Sequence, residues 1–498
     1  MAVNLLSGRL LARNVIWNLA GAGLPLLVAL WAIPILINGL GTERFGLLVL
    51  IWMGVGYFSL FDLGVGRALT KMVAERVGKD SESELPALVN TGLTLMVGLG
   101  VFAAISVLLI SPWLVNSILN IPEDLKSEAL WSFWVLGVSL PFVISTAGQI
   151  GILQAYQRFP EIAAVRIPLG VGNFLGPVLL LSFTQSLIMA TAILVAMRIL
   201  AWIAYWHMCR VYMGEEIQRK VIDTTIVKDL LAFGGWITVT NIVGPAMVYF
   251  DRFLIAALLS LTFVTFYTTP YEVITRLWII PEALAGVLFP ALTMVLASRS
   301  QRTKQFFMAS ARVLIISMFI PLAMVILFSF EGLAWWLGQE FAEESRTVLI
   351  WLSVGVFINS FARLPSIILQ GAGRPDLNAK LHLAEFMPYL ISLWWFIEWF
   401  GIVGAAIVWV LRIFVDFLGL SWLSSTVVPE MRREHLKLVA LVSILSSVLA
   451  GLSLIDALFV KGFCVLFFVV VGGALMHREL LRISGYSHGA ASNGEMRS

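Results

Sequence analysis

Runs of about twenty apolar residues, separated by short polar stretches, recur along the whole 498-residue chain. A helix needs about 20 such residues to cross a bilayer. The pattern therefore predicts spanning helices near 14–38, 46–69, 88–110, 129–150, 168–184, 187–206, 232–259, 262–297, 313–330, 347–369, 383–399, 401–423, 437–455 and 460–476. The eighth segment would be about 54 Å long as one straight helix, well beyond a hydrocarbon core of about 30 Å. Pro270, Pro281 and Pro290 fall inside it, so a bent helix running past the membrane surface is expected there. Fourteen spans leave only short loops and tails, with no room for a large soluble catalytic domain.

The chain also repeats itself. Ile152-Leu153-Gln154-x-x-x-Arg158, after the fourth predicted helix, returns as Ile368-Leu369-Gln370-x-x-x-Arg374 after the tenth, at an offset of 216. Ala192-Ile193 followed by Arg198-Ile199 in the sixth helix returns as Ala406-Ile407 followed by Arg412-Ile413 in the twelfth, at an offset of 214. Pro25 and Pro245 sit in the first and seventh helices at an offset of 220. Three matches in order predict parallel repeats of six helices each, related by an axis along the membrane normal, with substrate handled between the halves by alternating access. The expected fold is an all-α polytopic membrane protein of about fourteen transmembrane helices. Residues 1–206 form an N-terminal six-helix lobe, 207–231 a basic cytoplasmic connector and 232–430 a C-terminal six-helix lobe. Residues 431–480 supply two appended helices, and 481–498 form a disordered polar tail.

Composition agrees with the pattern: 59% of residues are hydrophobic, 13% are charged and the mean hydropathy is +0.93, against about 25% charged in soluble domains. Charge then orients the chain. With the N-terminus inside, 24 of the 33 basic residues fall in inner loops and tails, and Arg44, Lys126, Arg346 and Lys461 alone fall in outer ones. Positive charge is retained on the cytoplasmic side, so both termini are expected in the cytoplasm, with the first helix retained rather than cleaved. Cys209 and Cys464 lie about 250 residues apart at or inside predicted helices, and no thiol chemistry is expected of them.

The remaining five basic residues, Arg198, Arg252, Arg276, Arg363 and Arg412, lie within predicted helices. An arginine at the bilayer centre costs at least about 2.5–3.5 kcal/mol, so each needs a partner or water. Candidate acidic partners are Asp62, Asp251, Glu272, Glu282, Glu385 and Asp416. For each the structural reading competes with the functional one: Arg412 and Asp416 are one helical turn apart, and Asp251 and Arg252 are adjacent. Asp62, Asp251, Glu272, Glu385 and Asp416 are thus candidates for cation coupling or for ion pairing. Arginine suits bidentate phosphate recognition and stays charged on burial. Arg252, Arg276 and Arg363 are expected to line a basic, water-filled cavity for an anionic head group, so that Arg252→Ala and Arg276→Ala lose transport at normal abundance. The repeat-equivalent Arg198 and Arg412 are expected to be structural, and Arg412→Ala to lower abundance.

Enzymatic chemistry has little to stand on. The five histidines fall on the cytoplasmic side or in the tail without metal-ligand spacing, no phosphate-cradling GxxxxGK[ST] loop is present, and the largest outer loops, near 111–128 and 331–346, are short. A membrane glycosyltransferase would have to draw on Glu331, Glu340, Glu343 or Arg346. No metal or cofactor, no nucleic acid and no enzymatic activity are expected.

Asn14 to Asn18 leads into a Pro-containing first helix, Gly39-Leu40-Gly41-Thr42-Glu43-Arg44-Phe45-Gly46 follows at its outer end, and Phe61-Asp62-Leu63-Gly64-Val65-Gly66-Arg67-Ala68-Leu69 closes the second. Asp251-Arg252-Phe253-Leu254-Ile255, Phe289-Pro290 and Leu369-Gln370-Gly371-Ala372-Gly373 continue the pattern. In this order and spacing, across roughly 10–480, the chain resembles the polysaccharide-transport branch of the multidrug/oligosaccharidyl-lipid/polysaccharide exporter superfamily. The resemblance implies a flippase of the O-antigen type in the bacterial inner membrane. Such a protein moves an isoprenoid-diphosphate-linked oligosaccharide between leaflets, working with membrane lipids and with polysaccharide polymerase and chain-length machinery. Multidrug exporters of the superfamily tend to carry an acid in the first helix, and 15–37 has none. Lipid II flippases place several arginines in the first two helices, where this chain has Arg13 and Arg67. A cation-coupled small-molecule antiporter on the same scaffold is the alternative.

Overall fold

The computed structural model describes residues 8–58, 62–78, 85–156, 158–213, 223–282, 301–372 and 374–494, and among these every regular element is helical. Nine helices among them are long and apolar enough to cross a membrane. One, Asp376–Val427, has 52 residues, enough for two crossings. The chain divides into two compact units, Met1–Thr265 and Phe266–Ser498.

The first unit contains α1 (Gly8–Leu40), α2 (Thr42–Phe58), α3 (Val65–Gly78), α4 (Leu85–Trp113), α5 (Glu123–Ala155), α6 (Phe159–Leu180), α7 (Leu187–Met213), α8 (Thr224–Leu258) and the first turn of α9 (Leu261–Thr275). Helix α5 is its axle, packing on α3, α4 and α7. Val65, Leu69, Leu88, Val89, Leu140, Ile144, Ile152, Leu153 and Tyr205 fill the space between these helices. At Gly100 the backbone of α4 comes so close to α5 that an added Cβ would collide with Cα of Pro141. Helix α8, the seventh predicted span, packs on α2, α3 and α4 of this unit, so the boundary between units falls within α9. Asp223 caps α8 by accepting from the Thr225 N–H at 2.8 Å. The Thr225 hydroxyl and N–H hold this carboxyl below the usual aspartate range.

The second predicted span, 46–69, is not continuous. Helix α2 ends at Phe58, and the chain turns at Asp62-Leu63-Gly64 before α3 begins. Leu63 and Gly64 both have positive φ, 51° and 71°, a conformation that consecutive L-residues do not adopt inside a right-handed helix. The turn is held by Asp62, whose carboxylate oxygens accept from the Gly64 N–H at 2.9 Å and the Gly66 N–H at 3.0 Å.

The second unit contains the rest of α9, a 3₁₀ turn at Arg276–Trp278, α10 (Gln301–Leu327), α11 (Ser329–Leu337), α12 (Gln339–Gly371), α13 (Pro375–Val427), α14 (Arg432–Leu452) and α15 (Leu458–Gly494). Trp409 is fully buried here, edge-on to Tyr271 at 5.5 Å. The long α13 bends back at Gly401, where φ is 57° and ψ is −142°. Gly404 consequently lies against the carbonyl of Phe396, a residue that would be about 12 Å away along a straight helix. The two spans expected at 383–399 and 401–423 are therefore the two arms of this bend.

The expected long eighth helix changes to 3₁₀ at Arg276, with Pro270 carried inside α9; Pro290 lies outside the described residues. The last helix runs on to Gly494, where the polar composition of 481–498 predicts disorder. Leu480, Leu481 and Arg482, all good helix formers, extend it past the apolar segment.

The repeat read from the sequence recurs in backbone geometry. In the first unit Tyr156 N–H donates to Ile152 O at 3.1 Å and Arg158 N–H to Leu153 O at 2.8 Å. In the second, Ala372 N–H donates to Ile368 O at 2.9 Å and Arg374 N–H to Leu369 O at 2.9 Å. Both arginines then precede helices that carry proline in their first turn.

Candidate substrate site

The first unit encloses an open cavity of about 410 Å³ among α3, α5, α6 and α7. Its polar lining comes from Asp62, Arg67, Thr70, Thr146, Gln154 and Arg198. Each is placed by local structure. The Asp62 turn starts α3 and sets Arg67 and Thr70 on its first turns. Gln154 belongs to the repeated motif at the end of α5, where buried Ile152 and Leu153 anchor the backbone. Arg198 lies eleven residues into α7, about 16 Å along a 27-residue helix and so near its middle. Among the described residues Arg198 makes no ion pair, and its Nε is buried without a hydrogen-bond partner.

The repeat of Arg198 with Arg412 points to a shared structural role, yet the two environments differ. Arg412 stands over the Tyr389 ring at 5.7 Å, beside the carboxylates of Glu385 and Asp416. Asp416 Oδ1 is 3.2 Å from His382 Nε2, within ion-pair distance if the imidazole is protonated. Glu385 is 7% exposed, and neither of its carboxylate oxygens has a hydrogen-bond partner among the described residues. The cavity that Arg198 lines holds one carboxylate, Asp62, which is already engaged by backbone N–H groups. The periodicity that reveals the repeat is silent about this difference, because it lies in the neighbours and not in the repeated residues.

Each of the three arginines expected to line a cavity is engaged by a carboxylate. Arg252 is completely buried on α8. Its Nη1 donates to Val248 O at 2.6 Å and lies 3.5 Å from Asp251 Oδ1, which also accepts the Arg252 N–H at 2.8 Å. It is therefore a lobe-internal ion pair closed to water, not part of a water-filled wall. Arg276 is half-exposed and donates to Glu272 one turn earlier at 3.1 Å. Arg363 donates to Glu282 at 2.9 Å, tying α12 to the segment after the 3₁₀ turn. Of the acidic candidates, Asp62 is a helix cap and Asp251, Glu272 and Glu282 are ion-paired.

The charges expected in outer loops hold helix ends together. Glu128 accepts from Arg44 Nε at 3.0 Å and from the Leu187 N–H at 2.6 Å, joining α2, α5 and the start of α7. Lys461, 3% exposed, reaches Glu331 at 2.6 Å, and Arg346 donates to Ser453 O at 3.2 Å and lies 3.4 Å from Asp456. Glu331 and Arg346, which a glycosyltransferase would have to draw on, are engaged in these bridges. Among the described residues no cluster of His, Cys, Asp and Glu is arranged to hold a metal ion.

Long apolar helices around a cavity lined by Arg67 and Arg198 define a polytopic all-α membrane protein of transporter type. Its fold matches that of the lipid II flippase MurJ in an inward closed conformation, with a TM-score of 0.67 and 13% identity over 94% of this chain and 100% of that one. It also matches a multidrug resistance MATE family transporter of the MOP superfamily in an inward-facing conformation, with a TM-score of 0.67 and 16% identity over 83% and 95% of the two chains. At such identities the likeness is one of fold. A model of the polysaccharide biosynthesis protein family matches residues 11–296, more than half of the chain. A Shigella flexneri protein named as a candidate O-antigen transporter is 31% identical over 417 residues, covering 82% of this chain and 97% of that protein. The chain belongs to the polysaccharide biosynthesis protein family.

Proposed function

We propose that this protein is a flippase that carries an isoprenoid-diphosphate-linked oligosaccharide, an O-antigen or exopolysaccharide repeat unit, from the inner to the outer leaflet of the bacterial cytoplasmic membrane. The observation that carries the reading is the 31% identity to the Shigella flexneri protein over 97% of that protein's length. The physical task fits the residues. A sugar hydroxyl moved into hydrocarbon without a partner costs about 4–8 kcal/mol, so the polar head group needs a polar passage while its lipid tail stays in the bilayer. Membrane-depth arginines supply the charge a diphosphate needs.

In this reading the protein moves its substrate without transforming it, so it is a transporter and not an enzyme. Both termini face the cytoplasm, as the distribution of positive charge favours. Lobes of 1–206 and 232–430, joined by 207–231 and followed by helices in 431–480, rock about the substrate; the matching hydrogen bonds at Arg158 and Arg374 support the repeat on which this rests. Arg276 and Arg363 remain candidates for head-group contact in a state that breaks their pairs with Glu272 and Glu282. Polymerase and chain-length proteins are its expected partners on the outer face. A small-molecule antiporter on the same scaffold is the second reading, favoured only by the fold shared with multidrug transporters.

In cells lacking the protein, lipid extraction and mass spectrometry are expected to show a complete isoprenoid-linked repeat unit building up untranslocated. Normal surface polysaccharide without build-up, together with altered drug sensitivity, would favour the antiporter.

A further inference from the structure

We infer that the cavity of the first unit is a phosphate-binding site in which Arg198 and Arg67 hold the diphosphate of the lipid-linked substrate; this rests on the flippase reading and gives that reading a location. Three observations lead there. Arg198 sits near the middle of α7, lines the cavity and makes no ion pair among the described residues. A guanidinium whose Nε is buried without a hydrogen-bond partner is suited to an acceptor from outside the chain. Its repeat counterpart Arg412, whose Nε is likewise buried without a hydrogen-bond partner, stands beside a carboxylate and an aromatic face, whereas Arg198 lines an open cavity.

The cavity's one carboxylate does not fill that role. Both oxygens of Asp62 are engaged by the Gly64 and Gly66 N–H groups, and its charge faces Arg67. With Arg67 and Arg198 positive and Asp62 negative, the lining has a formal charge of +1. That balance attracts a phosphate ester and disfavours the cations that multidrug carriers move. The remaining polar groups suit a sugar. Thr70 and Thr146 donate their hydroxyl protons to Gly66 O and Phe142 O at 2.8 and 2.7 Å, leaving oxygen lone pairs as acceptors for sugar hydroxyls. A volume of about 410 Å³ is at the small end of the roughly 300–1,000 Å³ range of ligand pockets. It accommodates a head group and its proximal sugar, while the rest of a repeat unit extends through the open mouth.

The full-length protein, purified into lipid nanodiscs, is titrated with farnesyl diphosphate and separately with inorganic pyrophosphate. The wild type is expected to bind the lipid diphosphate saturably, with pyrophosphate competing. Arg198→Ala is expected to weaken binding at least about tenfold, the loss of one charge-assisted hydrogen bond. Arg198→Lys should restore it in part, because an ammonium lacks the planar fork. Arg374→Ala, which removes a surface charge paired with Asp376, is the control and should leave affinity unchanged. A folded Arg198→Ala protein with wild-type affinity for both ligands overturns the site, as does a wild type that binds neither. Binding of pyrophosphate without farnesyl diphosphate overturns the lipid head group as ligand. Lipid build-up in deletion cells tests the flippase reading separately, so a lost site and a lost function are distinguishable.

Discussion

Arg252→Ala is expected to remove most of the folded protein, and not to yield a stable but inactive carrier. The side chain has no exposure, and its ion pair and its bond to Val248 O are internal to α8. Deleting one member of a buried pair strands the other charge and costs roughly 3–5 kcal/mol, a large fraction of the roughly 5–15 kcal/mol that typically holds a protein folded. Asp251→Ala should do the same for the mirror reason. Replacing both charges by apolar side chains, Asp251→Leu with Arg252→Met, should recover much of the loss, since well-packed hydrophobic replacements of buried pairs are often neutral. Abundance in membranes and a melting curve in detergent read the effect. An Arg252→Ala protein of normal abundance and normal melting temperature that fails to transport would return Arg252 to the substrate path, as its charge alone suggests.

Gly100→Ala is expected to be the most damaging single methyl in the first unit. The added Cβ would meet Cα of Pro141, and backbone cannot rotate away as a side chain can. The α4–α5 contact that orders the cavity's α5 wall would have to open, with an overpacking cost of about 1–3 kcal/mol or more. Gly98 lies two residues away on the same helix with nothing near its would-be Cβ. Gly98→Ala should therefore be neutral or stabilising by up to about 1 kcal/mol, since alanine favours helix over glycine. The pair separates packing from propensity in one experiment: equal melting temperatures for the two variants would mean that the close approach carries no weight.

Most of the helical architecture is legible in the sequence because crossing a bilayer demands long apolar runs. The repeat is legible too: the motifs at Gln154 and Gln370 recur with matching backbone bonds. Two fold features escape hydropathy. The turn at Asp62 sits inside an apolar segment, and only the Asp-Leu-Gly-Val-Gly spelling hints that a side-chain cap outcompetes helix continuation. Packing of α8 on the first unit is a matter of tertiary contact, which a motif offset does not record.

The site is less legible than the fold. Charge inside a predicted span marks Arg252 and Arg198 alike, but whether an arginine is satisfied depends on residues brought near by folding. Arg252 finds Asp251 next door and is buried; Arg198 finds no such neighbour and lines a cavity. The one sequence signal that separates them is the acidic residue adjacent to Arg252 and the absence of any Asp or Glu within a turn of Arg198. Applied to Arg412, which has Asp416 one turn on, the same signal places the repeat partner beside carboxylates, although Asp416 itself lies against His382.

The claim that this protein moves a lipid-linked oligosaccharide between leaflets is tested most directly in proteoliposomes. Vesicles containing the purified protein and an isoprenoid-diphosphate-linked oligosaccharide are treated with a membrane-impermeant glycosidase. The expected result is that cleavage proceeds beyond the outer-leaflet share toward the whole pool, at a rate that rises with the amount of protein. Cleavage that stops at the outer-leaflet share, in intact vesicles containing folded protein and the ion gradient tested in either direction, would contradict it.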